Sequence, residues 1–205
     1  MNKFASVLLL AVLPYLAPQT LKTEDLNIFV VRNPCLVREQ VSDLSKIDFA
    51  NMRAVHVGEY GEIDTWQALR RGRGKTVDRD RDGNFEGATD VRLAWQEPLD
   101  AEHWIADYEW EWVGGSSSHS DIVQVFELRD SMLFITQQIE ADTHHGGRVV
   151  GGRFNTATKL LTVKAVDYAD REGRCCPSLM DVATFRWDGK QFHRISAKIV
   201  PLPKK

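Results

Sequence analysis

Residues 78–90 read DRDRDGNFEGATD, which places Asp78, Asp80 and Asp82 at alternate positions, then Gly83, Asn84 and Glu86. Alternation in a tight loop points three carboxylates at one place, and a hard cation supplies the charge that lets them coexist. Calcium fits best, with Gly83 permitting the sharp turn. Asn84 would add its backbone carbonyl and Glu86 a carboxylate or a water-mediated contact, while Phe85 faces the interior. The competing reading is an exposed charged turn in which Arg79 and Arg81 neutralise the aspartates without a metal.

Other groups suggest weaker chemistry. Arg70, Arg71, Arg73 and Lys75, within RRGRGK, form the one basic cluster and could meet the phosphates of lipopolysaccharide or another polyanion; a solvated loop balancing its acidic neighbour explains them equally. Ser116, Ser117, Ser118 and His119, followed by Ser120 and Asp121, bring a nucleophile, a base and an orienting acid into one segment. Adjacent residues do not readily converge in triad geometry and there is no G-x-S-x-G elbow, so a Gly/Ser-rich binding turn is the better reading. His144 and His145, near Asp142, lack an identifiable third ligand for a transition metal. Glu109 and Glu111 share a strand face and could form a carboxylate pair of the kind used in sugar hydrolysis, although solvated alternation accounts for them too. Trp95, Trp104, Trp110, Trp112 and Trp187 would form a carbohydrate or protein platform where exposed, but their alternation places most of them in the core.

The three cysteines, Cys35, Cys175 and Cys176, are an odd number containing one adjacent pair. Neighbouring Cα atoms lie about 3.8 Å apart, below the usual disulfide range of roughly 4.4–6.8 Å, so a Cys175–Cys176 bond would be strained. Two readings stand: a staple from Cys35 to one of the pair, and a labile vicinal redox switch.

The elements that must position these groups are mostly strands. From about Thr89 onward, short apolar and polar runs alternate between turn residues, as half-buried antiparallel strands do. Val91, Leu93 and Trp95 point one way, and Tyr108, Trp110 and Trp112 do likewise opposite Glu109 and Glu111. Hairpins are expected across Arg129-Asp130-Ser131, across 155–158 and across Asp188-Gly189. Seven or eight such strands predict an antiparallel meander that curls into a barrel or sandwich, mainly β with α+β as the alternative. The preceding part, residues 20–75, reads as a helical or irregular preface. Val37, Val41, Leu44 and Ile47 recur at helical spacing, and Trp66 to Leu69 suggests a helical turn. Residues 76–200 form the β-rich part, and one globular domain holds both.

Ahead of them, Lys3 and the apolar run Phe4 to Leu13 form a secretory signal over residues 1–19, too short to span a bilayer as an anchor in a folded protein. An uncleaved anchor is the alternative. Export leads to a secreted or periplasmic place, where disulfides are permitted, and to no transmembrane segment in the mature chain. Of the 205 residues, 26 are Lys or Arg and 29 Asp or Glu, so the net charge of −3 draws the molecule to neither nucleic acid nor anionic lipid; any such binding is local.

The order DRDRDGNFEGATDVRLAW, GGSSSHSDIVQVFEL and CCPSLMDVATFRWDG resembles a loosely defined group of bacterial exported proteins, over roughly residues 76–195. That resemblance implies a compact extracytoplasmic β-rich domain and carries over no catalytic residue. The acidic loop itself looks like the integrin-type or propeller-type calcium loop, with an acidic ninth residue and a strand directly after it. It departs from an EF-hand, whose twelfth position holds a Glu where this chain has Thr89. The expectation is a non-enzymatic, calcium-stabilised β-rich domain that binds an envelope component or protein through Gly/Ser-rich turns and exposed aromatics. The alternative is an extracytoplasmic hydrolase acting on an envelope polymer.

Overall fold

The structure, a computed structural model, describes residues 26–32, 35–39, 41–58, 62–114, 118–143, 151–169, 172 and 177–202. Its centre is a seven-stranded antiparallel sheet. β5 (Arg73–Arg79), β6 (Phe85–Pro98), β7 (His103–Val113), β8 (Ser118–Arg129) and β9 (Met132–Thr143) follow as a meander. β9 then pairs with both β1 (Ile28–Val31) and β2 (Cys35–Glu39). Strands β10 (Gly151–Asn155), β11 (Leu160–Asp167), β12 (Leu179–Trp187) and β13 (Phe192–Pro201) form a second meander, and β3 (Arg53–Val57) pairs with β4 (Ile63–Ala68).

The central sheet is covered on both faces, so this is a layered sandwich and not a closed barrel. On β7 and β8, Ala106, Tyr108, Trp110, Ile122 and Phe126 pack with Ala54, Val55 and Val57 of β3, while Ile105, Val123 and Val125 pack with Leu161, Val163, Phe185 and Phe192 of the second meander. A strand buried on both faces loses its apolar–polar alternation. Residues 121–126 (DIVQVF) are accordingly buried without interruption, including Asp121 and Gln124.

Two bulges change which side chains share a face. Register slips between Leu93 and Trp95, so Trp95 joins the second-meander side while Val91 and Leu93 face β3. It slips again opposite Val125 and Phe126, skipping Thr136, and thereby sends Leu133 and Ile135 to one core and Ile139 and Ala141 to the other. Beyond the second slip, adjacent glutamines on β9 reach opposite layers. Gln138 accepts from the Val57 N–H at 3.1 Å and donates to the Val57 carbonyl at 3.0 Å. Gln137 does the same for Phe192, at 2.7 and 2.9 Å. Each amide satisfies both backbone groups of one residue in the layer above or below, which holds the layers in register where polar groups would otherwise be stranded.

The helical preface is not found. Residues 35–39 are strand β2, Leu44–Lys46 is a single 3-10 turn capped by Asp43, and the expected helical turn at Trp66 lies inside β4. Val41, Leu44 and Ile47 do share one core, as the helical spacing required, but they reach it from an irregular segment. Propensity is weak beside tertiary packing in so short a stretch. The hairpins across Asp130-Ser131, 155–158 and Asp188-Gly189 form as expected. No helix among the described residues is long and apolar enough to cross a membrane.

Candidate functional site

Residues directly opposite one another in an antiparallel sheet lie on one face, with Cβ atoms roughly 4.5–5.5 Å apart. Following the ladder across β5, β6, β7 and β8 therefore gives two rows of side chains on the second-meander side: Lys75, Asp90, Glu111 and His119, then Arg73, Arg92, Glu109 and Asp121. Arg73 and Lys75 of the basic cluster, His119 of the Gly/Ser-rich segment and both strand glutamates thus stand on one surface although they are far apart in sequence. Within the rows Arg92 binds Glu109, with Nε at 2.9 Å from Oε2, and His119 Nε2 lies 3.6 Å from Glu111 Oε1. Arg73, Lys75 and Arg92 stand on β5 and β6 together with Asp90, and Glu109, Glu111 and Asp121 on β7 and β8 together with His119.

Toward the covered end of this face the groups become buried. Asp121 is 3% exposed, and Asp107, two residues before Glu109 on β7, is 1% exposed. Oδ1 of Asp107 and Oδ2 of Asp121 have no hydrogen-bond partner among the described residues. Burial pushes the Asp107 carboxyl far above the usual carboxylate range, with Glu109 adding to the shift and the Gly152 N–H and Trp95 opposing it. Asp121 is raised in the same way, by burial first, then by the charges of Asp107 and Glu109, against the pull of Arg92.

The first strand of the second meander closes over these acids through glycines. A Cβ at position 152 would lie 2.7 Å from Val123 Cγ2 and 3.4 Å from Asp107 Oδ2, while one at 151, where φ is +83°, would lie 3.1 Å from Asp121 Oδ2. The Gly152 N–H donates to Asp107 Oδ2 at 3.3 Å, and Trp95 Nε1 donates to the Gly152 carbonyl at 2.8 Å. Gly151 also borders a groove of about 750 Å³ whose lining includes Glu97, Arg153, Asn155, Thr162 and Lys164.

The remaining sequence candidates fall elsewhere. Arg70 and Arg71 sit at the tight β4–β5 turn, where Arg70 and Arg73 exchange backbone hydrogen bonds and Arg71 and Gly72 both have positive φ. Ser118 pairs with Trp112, in a row that faces the other way from that of His119. Ser116, Ser117, His144, His145, Cys175 and Cys176 lie outside the described residues. Cys35 is a free, buried thiol in β2, its pKa raised by burial. Of the tryptophans, Trp110 and Trp187 are buried and Trp95, Trp104 and Trp112 half-buried. The exposed aromatics are instead Phe85, at 55%, Trp66, at 53%, and Phe29, at 49%, with the Arg53 guanidinium 4.4 Å from the Trp66 ring centre. Phe85 does not face the interior as expected, because this end of the β5–β6 hairpin, residues 75–79 and 81–86, is exposed on both faces.

The acidic loop is the β5–β6 hairpin. Asp80 Oδ1 accepts from the backbone N–H of Asp82 at 2.9 Å and of Asn84 at 2.8 Å, and Oδ2 from the Asn84 side-chain amide at 2.9 Å. Arg79 donates to the Gly83 carbonyl at 2.9 Å. The turn thus closes on Asp80 alone. Asp78 belongs to β5, Glu86 is skipped in the β5–β6 pairing, and among the described residues no three Asp, Glu, His or Cys side chains form a ligand set.

Sequence reading missed two constellations. Asp107 interrupts the inward row of β7 next to Ile105, and a carboxylate on an apolar face was the available signal. On the opposite face of the central sheet, His56 of β3 has Nδ1 3.1 Å from Asp64 Oδ2 and Nε2 2.9 Å from Glu140 Oε2. No periodicity in sequence announces a contact between residues so far apart. No family model, no curated protein and no solved structure matches the chain.

Proposed function

We propose that this chain is an exported, β-rich binding domain of the bacterial envelope that holds an ionic envelope polymer or protein against the charged face of its central sheet. The observation that carries the reading is the register of β5 to β8, which gathers Arg73, Lys75, Arg92, Glu109, Glu111 and His119 into two continuous rows. A flat array of both signs recognises a ligand with spaced charges, and partly exposed pairs of this kind give orientation and attraction that salt screens. Calcium belongs to the proposal as an ion drawn to the exposed Asp78, Asp82 and Glu86. The exposed Trp66 and Phe85 are further contact points.

Co-sedimentation of the purified protein with peptidoglycan sacculi, and separately with lipopolysaccharide, tests the reading. Binding to one of the two is expected, weakening as salt rises, and Arg73→Ala with Lys75→Ala should reduce it about tenfold. Failure to bind either at low salt, or binding indifferent to salt and to both substitutions, sinks it. Fusion of residues 1–19 to a periplasm-dependent reporter enzyme tests export.

A second reading, a hydrolase of an envelope polymer, is favoured by one feature: Asp121, a carboxyl whose pKa burial raises, stands directly opposite the more exposed, Arg92-paired Glu109. Such asymmetry divides two carboxyls into an acid and a base. Release of reducing ends from sacculi, abolished by Glu109→Gln, would establish it.

A further inference from the structure

Asp107 and Asp121 are more than the floor of the charged face, because they lie where two layers meet. They are diagonal neighbours on β7 and β8, and each leaves one carboxyl oxygen without a partner among the described residues. Among the described residues, the facing groups come from β6 to β11. β7 contributes Glu109, and β6 contributes Arg92, whose guanidinium is engaged by Glu109. One row farther out are Glu111, His119 and Asp90. β9 places Ala141 opposite Asp121, β10 presents Gly151 and Gly152, and β11 turns the apolar Val163 and Ala165 inward. Two ionised carboxylates in this setting would repel one another, and the Arg92 charge, already shared with Glu109, offsets only part of that repulsion.

We propose that Asp107 and Asp121 form a proton-operated latch between the two sheets, closed on β10 while the pair holds protons and released when they ionise. The only bond broken is O–H, and the proton passes to solvent. The element that yields is β10, because it is five residues long, lies at the edge of its sheet and, among the described residues, pairs only with β11. Its glycine backbone sits on the two carboxyls, and it also walls the groove that holds Arg153 and Lys164. Opening it would wet the pair and disturb that groove together. The latch does not depend on what the charged face binds.

The sign follows from linkage. Both carboxyls hold their protons more tightly in the folded than in the unfolded chain, so the folded state carries more protons between the unfolded and folded pKa values. Stability therefore falls as pH rises through that window, and the loss is complete above the folded values. Amide hydrogen exchange at Gly152, which donates to Asp107, and at Arg153, corrected for intrinsic rates and compared between about pH 5 and about pH 9, reads the latch directly. Protection there should drop at least tenfold more than in β12. In Asp107→Asn/Asp121→Asn protein that excess should vanish, and the melting temperature should exceed that of the wild type by about 5 °C on the alkaline side while matching it near pH 4. Equal behaviour of the two proteins at both pH values would overturn the latch. If the double variant does not fold, carboxyl carbon NMR of the wild type decides: midpoints near or above neutrality for the two aspartates support the latch, and midpoints near about 4 end it.

Discussion

Asp80 shows how one residue can imitate a metal site in sequence. Alternating aspartates around a glycine suit a cation, but they suit a hairpin turn equally, because a short carboxylate two residues before a backbone N–H can close that turn itself. Asp80 does so with three hydrogen bonds, and these lower its pKa, the Asn84 amide contributing most. Asp80→Ala is therefore expected to lower the melting temperature by about 2–4 °C whether or not calcium is present. Calcium drawn to Asp78, Asp82 and Glu86 would add its own increment, since a ligand that binds only the folded state raises stability. Melting wild type and Asp80→Ala in saturating calcium and in chelator separates the two effects. A calcium shift in the wild type that Asp78→Asn abolishes would place the ion at the hairpin, and no shift in either protein removes calcium from the proposal.

At the level of elements, β9 binds the layers together, and the device is a pair of side chains that present an amide where a further strand would present its backbone. Replacing Gln138 by Leu strands both the N–H and the carbonyl of Val57, and replacing Gln137 by Leu strands those of Phe192. Each buried orphan costs about 1–3 kcal/mol, so each variant, with two orphans, should lose about 2–6 kcal/mol in urea unfolding. The losses should be local: amide exchange at Val57 quickens in the first variant and at Phe192 in the second. Speeding of both amides in either variant would mean that the layers do not behave as separate attachments. These strands also show what was legible in sequence. Alternation in 108–112 and the Asp188-Gly189 turn identified β7 and the β12–β13 hairpin, because each is a local pattern of side-chain direction. The helix expected at 37–47 fails because its spacing is met another way: Val37 from β2, and Val41, Leu44 and Ile47 from an irregular segment holding one 3-10 turn, all reach the same core. Trp95 was assigned to the wrong face because a bulge is invisible to a count of two. The candidate site was half readable: Arg73, Lys75, Glu109, Glu111 and His119 were each singled out, but their union depends on the register of four strands. Asp107 and the contacts of His56 depend on the third dimension altogether.

Across the whole molecule the perturbed groups fall into two sets that act in opposite pH ranges. Asp107, Asp121 and Asp181 are raised by burial, Asp181 to about 6, and each penalises the folded state increasingly as pH climbs past the unfolded carboxyl value. For His56, burial pushes the imidazole down, but Glu140 and Asp64 outweigh it and the net shift is upward. Its contribution is full below the unfolded histidine value and is lost as pH rises through the folded one. These four therefore all favour the acidic side. Asp188, lowered to about 2 mainly by the Gln191 and Lys190 N–H groups, and Asp100 and Glu127, also lowered, work the other way. They stabilise above the unfolded carboxyl value and lose that contribution as pH falls toward their folded values. The melting temperature should accordingly pass through a maximum between about pH 4 and about pH 6.5, with the fall toward alkaline pH less steep in His56→Phe protein. A maximum above about pH 7.5 would mean that the buried acids ionise in the folded state without cost, and that the near-neutral net charge describes the interior as well as the surface.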